Sequence, residues 1–274
     1  MEKEGKLYVV ATPIGNLEDI TFRAIRTLKE VDVIAAEDTR QTLKLLNHYE
    51  ISKPLISMHR HNEEEKSDNI IQKLKNGENI AIVSDAGTPG ISDPGEILIK
   101  EAIENNINVI PIPGACAMIN ALICSGLDTS NFIFIGFLPL NKKLRKEKLN
   151  EIEKIDKTCI LYEAPHKLKN TLVDLKDVIS NRQIVLAREI TKIHEEFIRK
   201  DIDELIEISD SLKGEIVIII EGKDKIEEEN ELNNLPLDEH YRFYEKQGLS
   251  KKEIIKKIAK DRNVNKNEIY KEFI

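Results

Sequence analysis

Four stretches of this sequence set carboxylates or hydroxyls beside glycine and proline, each directly after an apolar run. "ATPIGNLED" puts Pro13 and Gly15 behind Leu7–Thr12, and "AAEDTRQT" ends a run in Glu37 and Asp38, with Arg40 close by. "IVSDAGTPGISDPG" spans Ile82 to Gly95, and "PIPGACA" spans Pro111 to Ala117. Paired carboxylates beside an arginine can hold or deprotonate a polar substrate. The simpler alternative is a helix N-cap by Asp38 with a local ion pair. In the third stretch Asp85 ends a strand, Ala86 to Gly90 turn, and Asp93-Pro94 predicts a helix with proline at its first position. Small residues there let a ligand touch the backbone. Gly114 and Ala115 precede a small-faced helix whose free N–H groups could hold a polar edge, or which simply packs tightly. There is no Gly-Lys-Ser/Thr loop and no G-x-G-x-x-G, which weighs against a nucleoside triphosphate or a dinucleotide. His59 and His61 stand two apart without a nearby third ligand, so a polar loop is favoured over a metal, and no metal is expected.

These loops must be positioned by the runs before them. Short apolar strands (Leu7–Thr12, Val33–Asp38, "LISM", "NIAIVSD", Asn108–Pro113) alternate with helical patterns, as in a mostly parallel sheet covered on both faces. In a parallel sheet, ligands bind outside the carboxyl ends of the strands, and four small or kinked loops there describe a cleft for a flat, partly apolar ligand. A helix over Gly114–Gly126 leads into a second unit, with strands "FIFIGFLP", "TCILYEAP", "QIVLARE", "EEFIRKD" and "GEIVIIIEG" and helices near Lys142–Ile155 and Lys167–Ile179. Two adjacent strands without a helix between them predict a mixed sheet. The expected fold is therefore α/β, organised as an N-terminal α/β domain (1–113), a second α/β domain (114–225), an acidic linker (226–239) and a C-terminal helical module (240–274). In that module Ser250-x-x-Glu253 forms a capping-box pattern, Ile254, Ile255, Ile258 and Ala259 mark one apolar face, Asn263–Lys266 a turn, and Ile269, Tyr270 and Phe273 a second face. Both a helix-turn-helix and a packed helical hairpin fit.

The chain has 274 residues, a net charge of −8 and 33% charged residues. Its apolar runs are too short to span a bilayer, and no secretion signal is evident. Cys116, Cys124 and Cys159 lack metal-ligand spacing and fit free thiols in a reducing cytoplasm. The acidic balance excludes coating of nucleic acid by bulk charge. Yet Lys142 to Lys148 carries five bases against one acid, and Lys246 to Lys271 nine against three.

Together, "TPIGNLEDIT", "AAEDTR", "VSDAGTPGISDPG", "PIPGACA", "GFLP" and "YEAPHK", in this order, resemble the tetrapyrrole-methylase (class III methyltransferase) superfamily of S-adenosylmethionine-dependent enzymes. Within it they are similar to the branch that methylates a cytidine ribose 2′-hydroxyl near the decoding centre of small-subunit (16S) ribosomal RNA. The resemblance implies two α/β domains with S-adenosyl-L-methionine between them, a homodimer, and the small ribosomal subunit as partner. By position, Pro13 would flank the cleft and Asp85, Ala86, Gly87 and Thr88 would line the cofactor. Ala115 and Cys116 would sit against its methionine or adenosine part, and Tyr162 and Ala187 would close the adenine side. Cys116 could be a nucleophile at a helix start, but methyl transfer from a sulfonium needs no covalent enzyme intermediate, and a small apolar contact is the better reading. Glu37, Asp38 and Glu163 are the candidate acceptors of the ribose proton. Arg40, Lys142, Lys143, Arg145, Lys146 and Lys148 are the candidate RNA contacts. The first loop reads Thr12-Pro13-Ile14-Gly15 where tetrapyrrole-modifying relatives carry G-x-G, which favours RNA over a small ring. The competing functions are methylation of a tetrapyrrole or a protein side chain, and a non-catalytic RNA-binding assembly factor.

Overall fold

The computed structural model describes residues 4–60, 62–179, 181–223, 231–262 and 264–273. His61, Asn263 and residues 226–230 of the acidic stretch lie outside the described residues. The chain forms two compact units, Met1–Lys223 and Asp224–Ile274.

The first unit holds two five-stranded sheets. The N-terminal sheet is built from β1 (Lys6–Val10), β2 (Val33–Ala36), β3 (Leu55–Ser57), β4 (Ile80–Val83) and β5 (Asn108–Ile112) in the order β3-β2-β4-β1-β5. All its pairings are parallel. Its crossovers carry α1 (Phe22–Glu30), α2 (Thr39–His48), α3 (Glu63–Lys75) and α4 (Glu96–Glu104). Every residue of β2 and β4 is buried, which is why these strands show no polar alternation. One core cluster holds Leu7, Ile70, Leu74, Ile80 and Leu98; another holds Val10, Leu28, Ile34, Leu46 and Ala81.

A seven-residue helix, α5 (Ala117–Ile123), leads to β6 (Phe132–Phe137), α6 (Lys142–Lys154), β7 (Thr158–Glu163), α7 (Pro165–Ile179), β8 (Ile184–Arg188), β9 (Glu196–Arg199), α8 (Ile202–Ile208) and β10 (Ile216–Ile220). The order is β6-β7-β10-β8-β9. Only β6 and β7 run parallel; the other pairings are antiparallel, so the sheet is mixed as the helix-free "QIVLARE…EEFIRKD" spacing predicts.

Two helix starts differ from expectation. Gly114 to Cys116 are not helical: Cys116 is an extended N-cap at φ −146°, and a Cβ on Gly114 would sit 2.9 Å from that of Ala11. The glycine serves close packing on the end of β1, and its amide does not open a helix. Likewise α4 starts at Glu96 and not at Pro94, because Gly95 takes φ +128°. The α4 amides are capped instead by Glu63, the buried first residue of α3, whose Oε1 accepts from Gly95 N at 2.8 Å and Ile97 N at 3.0 Å.

In the second unit α9 (Leu237–Glu245), α10 (Lys251–Asp261) and α11 (Lys266–Glu272) enclose Tyr244, Ile254, Ile255, Ile258 and Ile269. A 3₁₀ turn at Glu231–Asn234 and the start of α9 fall within the stretch expected to be linker. Ser250 N donates to Glu253 Oε2 at 2.9 Å, as the capping-box spacing predicts. Tyr270, expected on the apolar face, is 51% exposed. His240 is fully buried, and burial pushes its pKa down. Its Nδ1 accepts from Arg262 Nε at 3.2 Å, which leaves Nε2 to donate to Asp261 Oδ2 at 3.3 Å, a neutral imidazole with both nitrogens used.

Candidate functional site

The loops after β1, β4 and β5 are stitched together by their smallest residues. Thr12 and Gly87 exchange backbone hydrogen bonds at 2.8 and 3.1 Å. Gly87 has φ +81°, and a Cβ there would lie 3.3 Å from Ile14 Cγ2. Only glycine fits such a position without strain. Thr88 Oγ1 donates to the Ala115 carbonyl at 3.2 Å, and Thr12 Oγ1 to the Ser84 carbonyl at 3.3 Å. These loops form one wall of a cavity of about 610 Å³, to which Ile14, Asp85, Ala86, Gly87, Thr88 and Cys116 contribute.

The opposite wall comes from the mixed sheet: Phe137 at the end of β6, Tyr162 and Glu163 at the end of β7, the segment from Glu189 to Lys192, and Gly214 to Val217 leading into β10. Tyr162 packs edge-on against Phe134 and Phe137, with ring centroids 4.9 and 5.7 Å away. Its Oη accepts from Met118 N at 3.2 Å. Burial pushes this phenol up to about 12, so it stays protonated. Lys192 bridges Glu189 and Glu215 at 2.9 and 3.0 Å. Its stem lies where a Cβ on Gly15 would be, 2.5 Å from Lys192 Cγ, which ties the second sheet's loop to the first sheet's first loop.

A group of carboxylates shares the first wall. Asp85 Oδ1 accepts from Asp38 N at 2.9 Å, and Glu37 Oε2 stands 3.5 Å from Asp85 N. Burial raises the pKa of Glu37, with the neighbouring Asp85 charge adding to it. Asp93 joins this group on the cavity wall; burial and then the charge of Glu37 push it up to about 6, against the pull of Arg60 and the Ser84 hydroxyl. In the sequence alone Asp93 reads only as a helix-start residue. The signal that could have found it is the Gly95 that follows Pro94: a glycine there permits the positive φ that delays the helix and frees the aspartate.

Several predicted site residues are placed differently. Asp38 caps α2 and takes three hydrogen bonds from Arg40, which hold its carboxyl down to about 2. That is the N-cap alternative, and it makes Asp38 a poor proton acceptor. Arg40, 86% exposed, is the other half of that pair. Glu163 is buried; its carboxylate accepts from Ala164 N at 2.8 Å and Thr171 Oγ1 at 2.5 Å. Arg145 donates to the same Thr171 at 2.8 Å and to Asp174 at 2.7 Å, so it braces α6 on α7 and is not a free surface cation. Lys148 pairs with Glu151, whereas Lys142, Lys143 and Lys146 are exposed on α6. Pro13 is buried one residue before the lining Ile14, and Ala187 is fully buried in the core cluster beneath Tyr162. Ala115 meets the site through its carbonyl, which accepts from Thr88 Oγ1. His59 N donates to Asn62 Oδ1 at 2.7 Å. Among the described residues no three His, Cys, Asp or Glu side chains are grouped to hold a metal, and no helix is long and apolar enough to cross a membrane.

A family model described as Tetrapyrrole (Corrin/Porphyrin) Methylases matches residues 6–206. Ribosomal RNA small subunit methyltransferase I of Halalkalibacterium halodurans is 51% identical, over 98% of this chain and 94% of its own length. The protein of the same name from Bacillus subtilis is 50% identical, over 97% of this chain and 93% of its own. Among solved structures, uroporphyrin-III C-methyl transferase from Thermus thermophilus complexed with S-adenyl homocysteine superposes with a TM-score of 0.57 at 15% identity. It covers 79% of this chain and 97% of that one; at such identity the likeness concerns the fold alone.

Proposed function

The chain belongs to the tetrapyrrole methylase family, and from that premise we propose that it methylates the 2′-hydroxyl of a cytidine ribose in small-subunit (16S) ribosomal RNA, using S-adenosyl-L-methionine. The observation that carries this reading is the 51% identity, over 98% of the chain, to a ribosomal RNA small subunit methyltransferase I. The site fits the cofactor on its own terms. The cavity of about 610 Å³ is of the size that encloses a ligand of this mass. Gly87 leaves open backbone where a side chain would crowd Ile14, Tyr162 and Ile190 offer apolar contact, and Asp85 offers an acceptor for polar groups. We assign the cofactor to Asp85, Ala86, Gly87, Thr88, Cys116 and Tyr162, with Pro13, Ala115 and Ala187 shaping the wall from behind.

The bound cofactor supplies an already activated methyl group. The chain's task is then to orient the ribose oxygen, exclude water and accept one proton. Carboxylates at the cavity wall suit the last task, and Glu37 is the better of the original candidates, since Asp38 and Glu163 are engaged elsewhere. Exposed Lys142, Lys143 and Lys146 on α6, and Lys252, Lys256 and Lys260 on α10, suit phosphate contacts. We read residues 1–113 and 114–225 as the two domains that share the cofactor, 226–239 as a linker, and 240–274 as an RNA-gripping module. We further read the protein as a cytoplasmic homodimer, which sedimentation at micromolar concentration checks.

The test is calorimetry with S-adenosylmethionine, followed by transfer of labelled methyl to small ribosomal subunits. Binding with incorporation supports the reading. Folded protein that binds neither the cofactor nor its demethylated product overturns it, and binding without incorporation into RNA favours a tetrapyrrole or protein substrate.

A further inference from the structure

A nucleotide drawn into a cavity leaves its own helical stack, and its base loses contact with its neighbours. Proteins that hold such a base replace the lost contact with an aromatic ring. Among the described residues, the aromatic side chains lining the cavity are Phe137 and Tyr162. Tyr162 is committed: its Oη accepts from Met118 N at 3.2 Å, and its ring meets Phe134 and the assigned cofactor position. Phe137 lies edge-to-face with Tyr162 at 5.7 Å between centroids and is still 57% exposed. Its place comes from an irregularity in β6. Phe134 stands opposite Ile160 of β7 and Phe137 opposite Tyr162, so Ile135 is one residue more than the partner strand has. Regular alternation would turn Phe137 to the face away from Phe134, toward the core cluster of Cys159 and Leu161. The bulge re-aims it, so that both phenylalanines flank the Tyr162 ring. Gly136, at φ +74°, supplies the left-handed backbone that this needs. Just beyond, Leu138 is buried, and Asn141 Oδ1 accepts from Lys143 N at 3.0 Å and Leu144 N at 3.2 Å. These anchors start α6, with its exposed Lys142, Lys143 and Lys146, directly after the ring.

We propose that Phe137 is the platform on which the cytosine ring of the target nucleotide stacks, with the lysines at the start of α6 holding phosphates beside it. The inference rests on the ribosomal RNA reading above. A ring held by Tyr162 can take a base plane on its open side without any hydrogen bond. It therefore positions the nucleotide and does not identify it, because every base has a π-face. With the base on the mixed-sheet wall, the ribose of the same nucleotide is left to the loops of the opposite wall, where the cofactor is assigned. Holding the base fixes the approach of the ribose oxygen, which is how positioning lowers the barrier of a transfer between two bound groups.

Kinetics and binding on the full-length protein with small ribosomal subunits test this. Phe137→Ala should lower kcat/KM by about tenfold or more, the loss expected for one base–aromatic stack, and leave the S-adenosylmethionine Kd within about twofold of wild type. Phe137→Tyr should stay within about threefold of wild type, because another ring serves as well. Phe137→Leu should fall with the alanine variant, since it keeps apolar bulk without a ring. The salt dependence of subunit binding should be the same in Phe137→Ala as in wild type, because stacking releases no counterions. A kcat/KM within about threefold of wild type in folded Phe137→Ala or Phe137→Leu overturns the proposal and leaves the methyltransferase reading intact. So does a cofactor Kd that rises as far as kcat/KM falls, which would make Phe137 a cofactor contact, and so does a flattened salt slope in Phe137→Ala. If Phe137→Ala does not fold, the comparison of Phe137→Tyr with Phe137→Leu decides alone. Wild-type protein that methylates no RNA points instead to failure of the underlying reading.

Discussion

The two sheets of the first unit face one cavity with opposite materials. The parallel sheet contributes loops of glycine, alanine and threonine with a rim of carboxylates, all leaving strand ends on one edge. The mixed sheet contributes aromatic rings and a loop cross-linked by Lys192, Glu189 and Glu215. Small residues let a ligand reach backbone and leave carboxylates unshielded, so the first wall suits recognition and proton transfer. Rings and ion pairs make a stiff cover, so the second wall suits enclosure and, through α6, contact with the polymer. On the proposed function, chemistry falls to the first wall and grip to the second.

The sharpest break of that division is Thr88→Arg. It places a long cation in the first wall and removes the bond to the Ala115 carbonyl. The S-adenosylmethionine Kd should rise by at least about 100-fold, roughly 2.8 kcal/mol, while the melting temperature stays near that of wild type. The second wall's counterpart is the triple change Lys142→Glu, Lys143→Glu, Lys146→Glu. Affinity for small subunits should fall by about tenfold or more and depend less steeply on salt, because fewer counterions are released. Cofactor Kd should not change. Arg145→Gln, one position away, should do the reverse, lowering the melting temperature by unpinning Thr171 and Asp174 and sparing the salt slope.

How much of this was legible depends on whether a residue's role is local. Strand runs such as "IAIV" and "IVIII" show burial on both faces directly, and the helix-free spacing before "EEFIRKD" announces the mixed sheet. The Asp38 cap is a matter of neighbouring residues, so the sequence offers it directly beside the paired-carboxylate alternative. Arg145 looks like its lysine neighbours in sequence; only the packing of α6 on α7 separates it from them. Asp93 was hidden by the same logic: Asp-Pro reads as a helix start until Gly95 adopts its positive φ and Glu63, thirty-two residues earlier, takes over the capping. Ala187 sits on a strand as the resemblance implies, but its face is the core and not the cavity.

Two smaller effects sharpen the comparison. Tyr162→Phe removes the acceptor of the half-buried Met118 N–H and should cost about 1 kcal/mol of stability, read as a shifted denaturation midpoint. Asp93→Asn should act in the opposite sense on stability. The native carboxyl has a raised pKa, so the folded state holds its proton more tightly than the unfolded chain does. Its stabilising contribution is complete below the ordinary aspartate range and is lost as pH rises through about 6. The asparagine variant should therefore melt a few degrees higher than wild type at pH 8 and show no such gain at pH 4. A gain independent of pH would remove the electrostatic account of this site.

The central claim is tested most directly by identifying the product nucleoside. Small ribosomal subunits lacking the modification are incubated with the protein and S-adenosylmethionine, the RNA is digested, and the nucleosides are separated by mass. The account predicts 2′-O-methylcytidine at a single position, absent with Thr88→Arg. A methyl group on a base, or RNA that gains none while the cofactor binds, would contradict it.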